Sequence, residues 1–362
     1  MSTLLGDVAR RRSAAMGGAR YDAVVAILCG VFQAGAYLDL WAHVHQPELE
    51  TFFTPWHAVL YSGFFALAGV TMVPLLRRRS GRGWAGALAP GYDLSAVGVL
   101  IFLLGGVLDM LWHIVFGIEV DVEALLSPSH LVLALGSTLM LTGPLRSAWR
   151  RAGQTRAPWP AVMSLAYLLS AFSFWTQYVH QLGRPWPAAG NQPTAATFPV
   201  VAPDPLFRNA EIQSLYVAHA LGVASILLQA ALLSAVVLLA VRRWEAFPRG
   251  AFTMVFGLNA LMVGLARDQL LLVVPAVVAG ALADALIAGL RPSVERSVAL
   301  RTVAFAVPAV YFALFFLTLA LTRGVWWTAS LWSGTVVLAG ASGWLLSWVL
   351  APPAVPAVHS RH

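Results

Sequence analysis

The 362-residue sequence contains no lysine and a single cysteine, and charged residues make up only 11% of it. The lone Cys29 excludes an intrachain disulfide and a metal cluster bound by several thiolates. Soluble domains carry about 25% charged residues, so this scarcity excludes an ordinary water-exposed surface. Hydrophobic residues reach 59%, and the mean hydropathy is +0.74. These values predict an integral membrane protein.

Apolar stretches of about twenty residues recur along the chain, which is the length that a helix needs to cross a bilayer. Because the hydrocarbon core offers the backbone no water, we expect an all-α fold. The hydropathy pattern predicts ten transmembrane helices, at 21–43, 56–76, 94–117, 129–147, 159–181, 213–240, 251–266, 269–290, 302–322 and 328–350. Between Ala251 and Leu290 the pattern allows either two full spans or a re-entrant segment.

The distribution of arginine predicts the orientation of these helices. With both termini in the cytoplasm, nineteen of the 23 arginines lie on the cytoplasmic side, and only Arg184, Arg208, Arg267 and Arg323 lie outside. This asymmetry follows the positive-inside rule. We therefore expect an N-in, C-in protein surrounded by lipid in a bacterial cytoplasmic membrane. The net charge of +7 reflects this orientation and does not indicate binding of nucleic acid.

The same reading divides the chain into five parts. A basic cytoplasmic N-terminus covers 1–20, and two repeated transmembrane hairpins cover 21–148. A third hairpin, with an outer lid at 183–212, covers 149–249, and four further transmembrane helices cover 250–350. A disordered tail at 351–362 contains His359 and His362.

Two segments of the N-terminal half repeat each other. The sequence Asp39-Leu-Trp-Ala-His43 ends the first predicted span, and Asp109-Met-Leu-Trp-His113 ends the third, 70 residues later. Each is followed by an acidic loop and by a Ser/Thr-Pro-x-His sequence that ends at His57 or His130. Several matching features at nearly constant offset indicate a duplicated hairpin.

The spacing of these residues predicts a metal site in each hairpin. Asp and His four residues apart lie on one face of a helix. Thr54 or Ser127 suits an N-cap, and the following proline suits the first helical position, so the second His faces back from the first turn. One carboxylate and two imidazoles suit copper, zinc or non-haem iron, with a coordination position left open. The predicted ligands, in two sites or one dinuclear centre, are Asp39, His43, His57, Asp109, His113 and His130.

Four more residues near the outer face are candidates for contacts to these ligands, namely His180, His219, Glu119 and Asp121. His180 and His219 belong to the third hairpin, where they join the cluster, hydrogen-bond its ligands or anchor the lid. For the six duplicated residues the alternative is a structural Asp–His hydrogen-bond network, since histidine also favours membrane interfaces.

The duplicated pattern resembles the copper motif of the C subunit of particulate methane and ammonia monooxygenases. Asp39-x3-His43-x13-His57 is the closer match, and Asp109-x3-His113-x16-His130 has a longer loop. The resemblance covers some sixty residues in two patches and does not extend to the last four predicted spans. It implies copper near the outer face and leaves open partner membrane subunits or a homo-oligomer. Methane or ammonia oxidation is not implied.

We therefore predict a membrane metalloprotein with copper at its outer face, in a redox role such as oxygen-dependent attack on a small apolar substrate. A second hypothesis is a metal transporter or metal-handling protein, although the predicted spans contain few polar residues to form a path. A third is a membrane-embedded zinc hydrolase. Haem b held between histidines of different helices is a further alternative.

Overall fold

The computed structural model describes residues 18–46, 53–77, 88–117, 122–194 and 210–352, and these ranges are mainly helical. Short 3₁₀ turns occur at Gln177–Val179, Ala189–Asn191 and Leu270–Leu272. The α-helices are α1 (Ala19–His45), α2 (Pro55–Arg77), α3 (Asp93–Phe116), α4 (Glu123–Leu126), α5 (Pro128–Leu141), α6 (Gly143–Trp149), α7 (Trp159–Trp175), α8 (Ala210–Arg243), α9 (Ala251–Ala266), α10 (Val273–Leu290), α11 (Ser297–Thr322) and α12 (Ala329–Leu350).

Seven of the described helices are long and apolar enough to cross a membrane, namely α1, α2, α3, α8, α10, α11 and α12. The bent pair α5–α6 makes up to eight. The chain is therefore an all-α candidate polytopic membrane protein. Helices α7 and α9 are apolar but have only 17 and 16 residues, so the ten-span topology stays a prediction.

The outer surface of α3 shows why these helices suit a bilayer. Its large apolar side chains recur at helical spacing on one stripe and are 40–69% exposed. Such a stripe would be unfavourable in water, because the free energy falls when apolar surface is transferred from water to an apolar environment. The residues of the stripe are Leu100, Leu103, Leu104, Val107, Leu108, Leu111, Ile114 and Val115.

The chain folds into two compact units. Among the described residues, the first contains those up to Pro185 together with Phe247–Ala281, and the second contains those between Trp186 and Ala246 and from Leu282 onward. In the first unit α1 packs on α2, α3 packs on α5, and α7 packs on α1 and α9. In the second, α12 packs on both α8 and α11.

The hairpins α1–α2 and α3–α5 cross at matching positions, with glycine at each close approach. A Cβ atom on Gly63 of α2 would lie 2.9 Å from the Cα of Phe32 in α1. A Cβ on Gly136 of α5 would likewise lie 2.9 Å from the Cα of Phe102 in α3. A second matched pair of contacts joins Gly35 to Leu60 and Gly105 to Leu133. The repeat in the sequence therefore corresponds to a repeat in helix packing.

The opposite ends of the two hairpins carry a repeated acid as well. Asp22 is fully buried, accepts a 2.8 Å hydrogen bond from the Tyr92 hydroxyl and pairs with Arg151. Asp93, 71 residues further along, pairs at 3.3 Å with Arg150, which directly precedes Arg151 in the sequence. Two neighbouring arginines thus hold the matching starts of α1 and α3.

Helix α5 ends in a bend of 42° before α6. Pro144 in the first turn of α6 has no N–H to continue the helical hydrogen-bond ladder. The Arg146 guanidinium crosses the bend and donates to the Leu139 carbonyl and the Ser95 hydroxyl, both at 2.8 Å. Arg146 therefore ties the bend to α3.

In the second unit, the start of the predicted lid is joined to the loop between α11 and α12. Ala188 forms an isolated β-bridge with Val325, and the Trp326 N–H donates to the Pro187 carbonyl at 3.1 Å. Residues 195–209 of the predicted lid lie outside the described residues.

Candidate metal centre

The first candidate cluster forms where α1 ends and α2 begins. The Asp39 carboxylate lies 3.7 Å from Nε2 of His43, one turn along α1, and 3.4 Å from Nε2 of His57 in α2. Thr54 caps α2 as expected, because its Oγ1 accepts the backbone N–H of His57 at 3.1 Å. The cap places His57 in the first turn, facing the end of α1.

The second cluster repeats this geometry at the end of α3 and the start of α5. The Asp109 carboxylate lies 3.6 Å from Nε2 of His113 and 3.2 Å from Nε2 of His130. In each cluster the two imidazole rings lie 5.9 Å apart, at an interplanar angle of 61°. The two hairpins therefore have the same Asp-His-His geometry although their loops differ in length.

The spacing of the ligand atoms suits a metal ion. In each cluster the carboxylate oxygen and the two imidazole nitrogens all lie within 4.8 Å of one another. Ligands held about 2.1 Å from a tetrahedral ion are about 3.4 Å apart, whereas charge-assisted N–H···O hydrogen bonds are about 2.7–2.9 Å long. The observed separations of 3.2–3.7 Å group around the first value.

Hydrogen bonds surround the ligands of the second cluster. Ser129 donates its hydroxyl proton to Oδ1 of Asp109 at 2.9 Å. The Ser127 hydroxyl lies 2.9 Å from Nδ1 of His130 and 3.3 Å from the Ser129 hydroxyl. Ser127 occupies the expected N-cap position but makes no side-chain cap bond, because its hydroxyl is turned to the imidazole. Nδ1 of His113 lies 3.1 Å from the Gly117 carbonyl.

Both clusters line one cavity of about 400 Å³ in the first unit. Tyr61 of α2 also lines it, and a Cβ on Gly106 of α3 would lie 2.6 Å from the Tyr61 hydroxyl. Tyr61 therefore extends from one hairpin to the other. The remaining wall is largely apolar and includes Phe32, Leu60, Phe102, Leu125, Leu133, Phe174 and Trp175.

The other candidate residues lie in different surroundings. His180 is buried, with Nε2 3.1 Å from the Ser173 hydroxyl and Nδ1 accepting the Leu182 N–H at 3.1 Å. Both of its nitrogens therefore hold the turn after α7. His219 belongs to the second unit, where it stacks on Trp326 at 4.5 Å. Glu119 and Asp121 lie outside the described residues.

Sequence reasoning did not single out Ser129 or Tyr61, which contact or adjoin the ligands. For Ser129 a signal was present, since it stands one residue before the repeated His130. For Tyr61 the sequence holds no comparable signal, because its place depends on how the two hairpins pack.

No protein-family model matches this chain, and neither curated proteins nor solved structures yield a match. The likeness to the monooxygenase C subunit therefore stands as a likeness of motifs.

Proposed function

We propose that the two Asp-His-His clusters bind transition-metal ions, copper first among them, and that the protein is a membrane metalloenzyme with a redox role toward a small apolar substrate. The observation that carries this proposal is that in both hairpins one carboxylate lies 3.2–3.7 Å from two Nε2 atoms, close to the edge length of a tetrahedral site.

The spacing favours metal binding over a structural Asp–His network. A network would draw each imidazole to hydrogen-bond distance of its carboxylate, about 2.7–2.9 Å. All four Asp–His separations are longer, and His43 and His113 lie at 3.7 and 3.6 Å. In addition, the packing of the helices does not by itself require two imidazoles beside one carboxylate, yet both hairpins have this arrangement.

The donor set and the motif point to copper. Imidazole and carboxylate ligands suit copper, zinc and non-haem iron, and three protein ligands leave a position for an exogenous molecule. The resemblance of Asp39-x3-His43-x13-His57 to a membrane copper motif favours copper within this group. A bound copper ion would supply one-electron redox chemistry.

The cavity supports a small apolar substrate. Its volume of about 400 Å³ falls within the range of ligand pockets, about 300–1,000 Å³. Phe102, Phe174 and Leu133 contribute apolar wall, while the clusters supply the polar groups. The walls would exclude bulk water and hold an apolar molecule beside the ligands of either cluster.

The test is the metal content of detergent-purified protein after a chelator wash, measured by elemental analysis. We expect two ions per chain in the wild type, one in His57→Ala, one in His130→Ala and none in the double variant. The variant His359→Ala/His362→Ala, which alters only histidines of the tail, is the control and should keep both ions.

The metal content and three further measurements distinguish the alternatives. Zinc in place of copper, with activity toward esters or amides, would support a membrane-embedded hydrolase. Uptake of metal into vesicles that contain the protein would support a transporter, and a haem absorption band would identify haem b. Full metal content in the double variant would place the metal elsewhere and leave the clusters as hydrogen-bonding devices.

A further inference from the structure

The two clusters share one geometry but differ in their surroundings. The repeated sequence is Thr54-Pro55-Trp56-His57 in the first hairpin and Ser127-Pro128-Ser129-His130 in the second. Trp56 thus occupies the position of Ser129, and its indole N–H donates to Oε1 of Gln46 at 3.3 Å. At this position only the second hairpin has a hydroxyl to offer its carboxylate.

This hydroxyl holds the carboxylate of the second cluster in place. Ser129 has one hydroxyl proton and donates it to the Asp109 carboxylate at 2.9 Å. The Ser127 hydroxyl lies 2.9 Å from Nδ1 of His130 and orients that imidazole, whose Nε2 lies 3.2 Å from Asp109. Both serines of the Ser127-Pro-Ser129 sequence therefore position ligands of the second cluster.

The other imidazole of this cluster is oriented in a similar way. Nδ1 of His113 lies 3.1 Å from the Gly117 carbonyl, which can only accept, so Nδ1 is the donor. This contact turns Nε2 of His113 toward Asp109. Both imidazoles of the second cluster are thus oriented by a contact at Nδ1, as in histidines that bind a metal through Nε2.

Two of the three ligands are also less exposed in the second cluster. The side chains of Asp109 and His113 are 4% and 10% exposed, whereas those of Asp39 and His43 are 13% and 38% exposed. For the third ligand the order is reversed, since His130 is 20% exposed and His57 is 13% exposed. The Thr54 hydroxyl of the first cluster accepts a backbone N–H, as a cap does. The carboxylate and the first imidazole of the first cluster are therefore more open to water, His43 most of all.

We infer that the second cluster is a preorganised, tight metal site and that the first cluster binds its ion more weakly, with Ser129 as the positioning residue that makes the difference. This inference rests on the proposed metal binding. Loss of a hydrogen bond to a metal ligand weakens affinity by about 10- to 100-fold. We therefore expect the second cluster to bind copper at least about tenfold more tightly than the first.

The experiment isolates each cluster in the full-length protein. In His57→Ala only the second cluster is complete, and in His130→Ala only the first. Cu²⁺ is titrated into each against a chromophoric chelator, and we expect the His57→Ala protein to have the lower dissociation constant.

Ser129 is then varied in the His57→Ala background. Ser129→Ala should raise the dissociation constant about 10- to 100-fold, and Ser129→Thr, which keeps the hydroxyl, should restore it. Ser137→Ala is the matched control, because Ser137 lies in the same helix and lines the same cavity but donates to the Ala134 carbonyl. In the His130→Ala background Ser129→Ala should leave the affinity of the first cluster unchanged.

Each outcome separates this inference from the proposed function. Equal dissociation constants for the two isolated clusters, or no effect of Ser129→Ala, would overturn the asymmetry while metal binding stands. Absence of stoichiometric Cu²⁺ binding in both single variants and in the wild type would overturn both.

Discussion

Replacing Gly63 with alanine should separate α1 from α2 and weaken the first cluster. The added Cβ would lie 2.9 Å from the Cα and 3.1 Å from the N of Phe32, both of which are backbone atoms that cannot turn aside. Carbon atoms in contact stay about 3.5–4.0 Å apart, so the helices must move by about 0.6 Å or more. Overpacking of this kind costs about 1–3 kcal/mol.

Gly69→Ala in the same helix is the matched control, because a Cβ there would meet nothing within 4 Å. Both substitutions gain about 1 kcal/mol in helix propensity, so the difference between them isolates the packing cost. At about 2–4 °C for each kcal/mol, Gly63→Ala should melt several degrees below Gly69→Ala in detergent.

The same displacement should reach the first cluster. His57 precedes Gly63 by six residues, which is about 9 Å along the helix. A shift of about 0.6 Å would lengthen the 3.4 Å separation of Asp39 and His57 beyond the edge of a tetrahedral site. Cu²⁺ affinity measured in the His130→Ala background should therefore fall. Equal melting temperatures for the two glycine variants, with unchanged Cu²⁺ affinity, would refute the close approach.

A further outcome concerns the topology. Reporter fusions after residues 80, 152, 246 and 296 should report a cytoplasmic location, and fusions within 183–212 an external one. The reason is that arginine is concentrated in the loops on one side of the predicted spans. An external signal at residue 152 would overturn the predicted arrangement of the first four spans.

Local spacing was enough to predict the six residues of the two clusters. Asp39 and His43 share a helix face whatever the rest of the chain does, because four residues make about one turn. The Thr-Pro and Ser-Pro sequences mark the start of the returning helix with similar independence. Hydropathy in the same way predicted long apolar helices, since spanning length is a property of each segment alone.

The details that distinguish the two clusters were beyond the sequence. Ser127 and Thr54 occupy the same N-cap position, yet one hydroxyl turns to an imidazole and the other caps the backbone. His180 could have joined the ligands, but the turn after α7 uses both of its nitrogens. These choices depend on neighbours that are distant along the chain.

The sequence by itself determined an apolar, helical chain with two copies of a carboxylate and two imidazoles at the ends of adjacent helices. Periodicity, capping and hydropathy act within a turn or a span, so they can be read without knowledge of the fold. Only the tertiary structure decided that Gly63 and Gly136 bring each pair of helices into close contact and that both clusters line one cavity. Helix register is set by side-chain packing between helices, and this packing forms only when the whole bundle assembles.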